Sequence, residues 1–244
     1  MHYLKFVVFL LVSSISAISC LAAKVVLVAG GDDSNATRAM EVKLNGPFGA
    51  GFDAKGNMFF CEMPGNMLRK MNPAGVVSIT AGNGTKGDTG DNGPAGQALL
   101  NGPHNLAVLK SGDVLIADTW NNRIRKIDAR TGKIAAIIGT GKKGFSGDGG
   151  PANRAEFGGL YCATLDPEEQ NLYLADLDNR RIRVVDMKTG IVRTVAGNGA
   201  AGLPADDADA LASPLLDPRA VAADAQGNVY ILERNGNALR VVDS

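Results

Sequence analysis

Four times along this chain, a short apolar run ends in a carboxylate and is followed by a polar turn and an aliphatic–arginine pair. The runs are Asn57-Met-Phe-Phe-Cys-Glu62, Asp113-Val-Leu-Ile-Ala-Asp118, Asn171-Leu-Tyr-Leu-Ala-Asp176 and Asn228-Val-Tyr-Ile-Leu-Glu233. The pairs are Leu68-Arg69, Ile124-Arg125, Ile182-Arg183 and Leu239-Arg240, so the arginines step by 56, 58 and 57 residues. Self-similarity at such a period marks stacked supersecondary units, none of which buries its apolar face alone.

Within one unit, His104 to Leu109, Val114 to Ala117, Ile124 to Asp128 and Ile134 to Gly139 are short aliphatic runs separated by Gly, Asn and Asp. They read as four antiparallel strands, and no helical periodicity interrupts them. Four strands per repeat is the blade of a β-propeller, which leaves few open strand edges. The excess length lies between the fourth strand and the next first strand, and it too is repeated, as in Ile138-Gly-Thr-Gly through Gly-Asp-Gly-Gly-Pro-Ala152. These stretches end at Leu100, Phe157 and Leu215, expected to tuck each loop onto its blade.

The termini suggest how the ring closes. Lys24-Val-Val-Leu-Val-Ala-Gly30 matches the fourth strands at Val77-Ser-Ile-Thr-Ala-Gly82 and Arg193-Thr-Val-Ala-Gly197, while Leu239-Arg-Val-Val-Asp243 is a third strand with no fourth. The expectation is that Val25 to Ala29 pairs with Leu239 to Asp243, completing the last of four blades and removing two aggregation-prone edges. The alternative is a fragment of a six-bladed propeller.

Residues 1 to 23 carry Lys5, an apolar run from Phe6 to Val12 and then small residues, which reads as a signal peptide preceding a propeller over 24 to 244. The apolar core is too short to span a bilayer. A secreted or periplasmic location is expected, with a lipid anchor through Cys20 as the alternative. Net charge is zero and no basic stripe stands out, which argues against nucleic acid and against membrane insertion. Cys61 and Cys162 fall in non-adjacent repeats and read as two buried small hydrophobes rather than a disulfide. Asn35-Ala-Thr37 and Asn83-Gly-Thr85 are sequons only in a glycosylating host.

The strings Asp118-Thr-Trp-Asn-Asn-Arg-Ile-Arg-Lys-Ile-Asp128 and Asp176-Leu-Asp-Asn-Arg-Arg-Ile-Arg-Val-Val-Asp186 resemble the repeat of NHL propellers. The first repeat departs at Cys61, Glu62 and Met67, and the last at Glu233 and Ala238. The resemblance covers about 24 to 243 and implies a propeller, most members having six blades. The family includes binding scaffolds, a peptide-amidating lyase and lactonase-like cousins, so it does not by itself specify an activity.

In such a blade, the loops after strands two and four share one face, and long loops on a rigid scaffold are where binding usually lives. Alignment of the units puts Phe48, His104, Tyr161 and Arg219 at one equivalent position beside the channel mouth, differing while their neighbours repeat. With Trp120, the sole Trp, they are the candidate ligand-binding residues, suited to a polar or carboxylate-bearing ligand. Glu62, Asp118, Asp176 and Glu233, each seven residues before Arg69, Arg125, Arg183 or Arg240, read as structural positions that accept backbone N–H groups or pair with the arginine. Asp88, Asp91, Asn92, Ser146 and Asp148 hold oxygens in calcium-like turns but lack the spacing and terminal Glu of a calcium loop.

His104 is the one histidine after the signal-like segment, too few for a histidine-rich zinc site. No Gly-x-Ser-x-Gly elbow is present. The expected function is a secreted, non-catalytic binding or scaffold propeller that takes a protein, peptide or glycan on its long-loop face without a cofactor. The alternative is a metal-dependent lactonase or hydrolase using one divalent cation such as Ca²⁺ in the channel mouth.

Overall fold

The computed structural model describes residues 25–244. The segment read as a signal peptide therefore lies outside the described residues. The described residues form four antiparallel sheets. The first is β1 (Pro47–Phe52), β2 (Met58–Glu62), β3 (Met67–Met71) and β4 (Val77–Ala81). The second is β5 (Pro103–Val108), β6 (Val114–Asp118), β7 (Arg123–Ile127) and β8 (Ile134–Ile138). The third is β9 (Leu160–Leu165), β10 (Asn171–Asp176), β11 (Arg181–Asp186) and β12 (Val192–Ala196), and the fourth is β13 (Pro218–Ala223), β14 (Val229–Glu233) and β15 (Ala238–Val242). Among the described residues, helix is confined to three single 3-10 turns. Strand order follows chain order in every sheet, as in propeller blades.

Short-range chemistry sets the hairpins. Between β1 and β2, Asp53 accepts the N–H groups of Lys55 and Asn57 at 2.9 Å each, and Gly56 takes φ +78°. Asp128 does the same for Arg130 and Thr131 between β7 and β8. Such Asx turns give the chain a tight reversal without a tertiary partner. On the other face, the turn between strands two and three places Asn66, Asn122, Arg180 and Asn237 at φ 51°, 52°, 49° and 49°, a left-handed conformation that asparagine tolerates best.

The cores lie between blades. Phe59, Cys61 and Leu68 of the first blade pack with Leu106, Ile116 and Ile134 of the second. Leu115, Ala117 and Ile124 pack with Leu160, Leu172 and Leu174 of the third, and Ala175 and Ile182 with Val221 and Ile231 of the fourth. The loop ends Leu100, Phe157 and Leu215 are buried within these clusters, at 0, 0 and 3% exposure, as expected. Cys61 and Cys162 are buried free thiols, and burial pushes the Cys61 thiol far above its ordinary pKa.

The closure by the N-terminal strand does not form. The fourth sheet has three strands, and Val25 to Val28 are 104, 68, 60 and 50% exposed. The segment after them docks on the first blade instead: Thr37 O accepts the Val77 N–H at 2.6 Å, and Ala39 and Val42 pack with Phe60 and Val77. The physical reason lies in the innermost strands. β1 packs on β5, β5 on β9 and β9 on β13, with no comparable contact from β13 back to β1 among the described residues. The four blades form an open arc, so the first blade does not bring Val25 to Ala29 beside β15.

Candidate ligand-binding site at the channel mouth

Phe48, His104, Tyr161 and Arg219 are each the second residue of an innermost strand, and each lies in a β-bulge. In the second blade Pro103 pairs with Asp118 and Asn105 with Ala117, leaving His104 as the extra residue. Tyr161 is skipped between the pairs Leu160–Asp176 and Cys162–Ala175, and Arg219 between Pro218–Glu233 and Ala220–Leu232. In the first blade the irregularity spans Phe48 and Gly49. A bulge re-aims the side chain of its extra residue, which frees these four positions from the in-and-out alternation of the strand.

The four side chains meet in series across the mouth. The rings of Phe48 and His104 are 5.0 Å apart at 69°, and those of His104 and Tyr161 are 4.4 Å apart at 50°. The Arg219 guanidinium lies 4.4 Å from the Tyr161 ring centroid, within cation–π range. Trp120 joins from the side, its ring 5.4 Å from His104 and edge-on at 79°. Its turn is anchored by the Thr119 hydroxyl, which donates to Leu160 O at 2.8 Å. Its ring covers Gly102 so closely that an added Cβ would lie 2.2 Å from it. All five sequence-derived candidates are thus brought together.

Their roles divide by exposure. Phe48 is 52% and Trp120 46% exposed, so both offer apolar surface to a ligand. His104 is only 7% exposed, wedged among three rings, and Nδ1 lies 2.7 Å from Gly102 O. A carbonyl only accepts, so Nδ1 carries the proton and donates. Burial holds the imidazole pKa below its ordinary value, opposed by the hydrogen bond to Gly102 O and helped by the nearby Arg219 charge. His104 is the keystone of the platform rather than its contact surface.

A sixth residue was not legible as a site residue. Asp217 accepts from Arg219 Nε at 2.9 Å through one oxygen and from Arg234 Nε at 2.9 Å through the other. Its φ is +60°, where the other blades have Gly46, Gly102 and Gly159 at +58°, +60° and +71°. An aspartate in that left-handed position is a local strain retained to hold Arg219. The break in the repeat from Gly to Asp at this position was the available signal. Among the described residues, no acceptor engages the two terminal nitrogens of Arg219.

The second ring of carboxylates is built into the blades. Glu62 accepts the Asn45 N–H and Arg69 Nε at 2.8 Å each, and Glu233 accepts the Leu216 N–H and Arg240 Nε. Asp118 and Asp176, one methylene shorter, accept the N–H groups of Asn101 and Gly158 at 2.7 Å each but stand 3.7 and 3.8 Å from Arg125 and Arg183. Those arginines bond instead to Asp91 and Asp148 of the preceding long loops, both at 2.7 Å. Pairing at seven residues is therefore direct where the acid is Glu and looser where it is Asp. The oxygens of the calcium-like turns are also committed: Asp88 to Arg123, Asp91 to Arg125, and Asp148 to Arg183 and the Thr194 hydroxyl. Among the described residues, no three His, Cys, Asp or Glu side chains are grouped as metal ligands.

Burial pushes the Asp118 and Asp176 pKa values up to about 6 against the opposing pull of their hydrogen bonds and arginines. A folded pKa above the unfolded one means that each group contributes stability below about pH 4 that is lost as pH rises through about 6. Carboxyl-carbon NMR titration is expected to find two midpoints near 6; midpoints below 4 would mean that the guanidinium and N–H partners outweigh burial.

Comparison with known proteins agrees with this fold. Residues 100–127 match the NHL repeat. NHL repeat-containing protein 2 of Gallus gallus is 26% identical over 143 residues, covering 53% of this chain and 19% of its own length. A structural genomics protein of unknown function from Bacteroides thetaiotaomicron superposes with a TM-score of 0.64 at 21% identity, over 80% of this chain and 46% of that one. An auxiliary nutrient binding protein from Bacteroides ovatus gives a TM-score of 0.62 at 18% identity, over 82% of this chain and 48% of that one. The chain spans less than a fifth of the curated relatives it matches and about half of these solved structures. The fold is that of a β-propeller, and one stretch of its second blade matches an NHL repeat.

Proposed function

We propose that this chain is an exported, non-catalytic binding propeller that holds a protein, peptide or glycan ligand against its long-loop face. The carrying observation is the continuous row Phe48, His104, Tyr161 and Arg219, every member at a bulge and in contact with the next, flanked by Trp120. Exposed aromatic faces beside a cation, over a rigid base, suit stacking on a sugar ring or an aromatic side chain while the guanidinium takes a carboxylate or hydroxyl. The carboxylates that a channel-mouth hydrolase would use are engaged with backbone N–H groups and arginines, which favours binding over turnover. Solved propellers of similar fold include auxiliary nutrient binding proteins, a coarse parallel for ligand capture. Export rests on the segment Met1 to Ala23.

Peptide and glycan arrays supply the test, with hits titrated through Trp120, the single Trp and therefore a reporter on the rim of the site. Tyr161→Ala and Arg219→Ala are expected to weaken binding about tenfold or more, as for central anchor residues. Asp217→Gly should weaken binding as much as Arg219→Ala yet change stability by only about 1 kcal/mol, because glycine suits φ +60° and surface ion pairs contribute little. Binding untouched by all three changes, or turnover of a lactone or ester at the mouth, would overturn the reading.

A further inference from the structure

On the face opposite the long loops, the seam between the first and second blades holds a cavity of about 330 Å³. Both flanking blades have all four strands. The floor is apolar: Phe59 of β2 with Val114 and Ile127 of the second blade, all buried. The rim is made of three tight turns, between β1 and β2, between β5 and β6 and between β7 and β8. The repeat explains why this seam is open. Ala129 follows Asp128 where the third blade has Met187 after Asp186, and Met187 packs onto the cluster between the second and third blades. A methyl group replaces a long, gap-filling thioether, and the space beside it stays empty.

The wall carries a cation without a counter-ion. Lys70 pairs with Phe59 across β3 and β2, which puts it, half-buried, on the face turned toward the second blade. Its counterpart Lys126 pairs with Leu115 in the same register and has a carboxylate, Asp113, with Nζ 3.3 Å from Oδ2. At the position of Asp113 the first blade carries Asn57, whose amide donates to Asp53 at 2.7 Å. The acids of the wall are held in their own turns. Asp53 accepts from the Lys55 and Asn57 N–H groups and the Asn57 amide, and Asp128 from the Arg130 and Thr131 N–H groups and the Thr131 hydroxyl. Lys110 Nζ donates to Pro167 O at 2.9 Å, outside the cavity. Among the described residues Lys70 therefore has no carboxylate partner, while Lys55 adds a second positive charge at the rim.

We infer that this cavity binds a small monocarboxylate with an apolar body, its carboxylate on Lys70 and its chain over Phe59, Val114 and Ile127. A half-buried ammonium lacking an acceptor favours an anion, and an apolar floor favours one whose remainder prefers to leave water. The ligand supplies the acid that Asp113 supplies to Lys126 one blade on, and fills the space that Met187 takes in the next seam. The volume is at the lower end of the range for small-molecule sites, which sets the ligand as small. This site lies on the opposite face from the aromatic platform and is independent of what the platform captures.

Calorimetric titration with octanoate is the test, with octanol and octylammonium as probes of the same chain length. Octanoate is expected to fill one site per chain with a Kd below about 1 mM, and the neutral and cationic probes to bind about tenfold more weakly or worse. Lys70→Met keeps the apolar stem but removes the charge, and should raise the octanoate Kd about tenfold or more. Ala129→Met puts the third blade's residue into the seam and should abolish binding, whereas Lys126→Met should leave it unchanged. Circular dichroism checks that each variant folds; if Ala129→Met does not, Lys70→Met decides alone. Trp120 fluorescence, on the far face, should not respond to octanoate. Equal affinity for octanol, octanoate binding indifferent to Lys70→Met or to a folded Ala129→Met, a response of Trp120, or no binding at about 1 mM would overturn the inference.

Discussion

Arg125→Ala lowers the stability of the propeller by about 3 to 5 kcal/mol, read as a shift of the urea midpoint at constant slope. The guanidinium is fully buried and binds three elements at once: Asp91 at 2.7 Å, Leu99 O at 2.9 Å and Thr89 O at 3.1 Å, with Asp118 at 3.7 Å. Its removal leaves Leu99 O without the guanidinium, takes one of two donors from Thr89 O, which keeps the Leu99 N–H at 3.1 Å, and leaves buried Asp118 without its nearest cation, while the loop from Thr89 to Leu99 loses its clamp to the blade. Arg123, two residues away, binds Asp88 with its side chain 20% exposed, and Arg123→Ala serves as the contrast at below about 1 kcal/mol. Equal losses from the two substitutions would mean that the loop is held by its own turns rather than by the buried arginine.

Phe157→Ala is expected to cost about 3 to 5 kcal/mol, measured in the same way. The ring is fully buried with Ala152, Ala155, Leu160 and Leu174, at the end of a long loop where that loop meets the third blade. The Arg183 guanidinium also lies 4.4 Å from its centroid, so truncation opens a cavity and takes away a buried cation's aromatic partner. Phe145 sits under Arg181 at 3.8 Å yet is 41% exposed, and Phe145→Ala should fall below about 1 kcal/mol because little surface leaves water. A small loss at Phe157 would show that the loop packs without its aromatic anchor.

The blades were legible because their code is local. The carboxylate, the turn and the aliphatic–arginine pair recur at fixed spacing, and the strands from Val114 to Ala117 and from Ile134 to Ile138 fall where alternation and turn residues put them. The five platform residues were legible for the opposite reason, as places where the repeat varies. What was not legible depends on geometry between units. The bulges arise only when paired strands are counted against each other, and the role of Asp217 depends on a φ shared with three glycines. Whether Val25 to Ala29 reaches β15 is decided by the curvature of the arc, which no strand encodes by itself. The seven-residue acid–arginine spacing recurs in every unit, but the partner of Arg125 and Arg183 lies in the preceding long loop because Asp is too short to reach.

The bulges separate two tasks that strands ordinarily combine. A residue inside a ladder is constrained by the pleat, the partner strand and the neighbouring sheet, whereas the second residue of each innermost strand stands outside that bookkeeping. The mouth therefore carries three positions, 48, 161 and 219, whose side chains the ladder does not dictate, around a fourth, His104, that is fixed by its own packing. Phe48→Arg or Arg219→Phe should change the charge and aromatic surface of the mouth without altering how the chain folds.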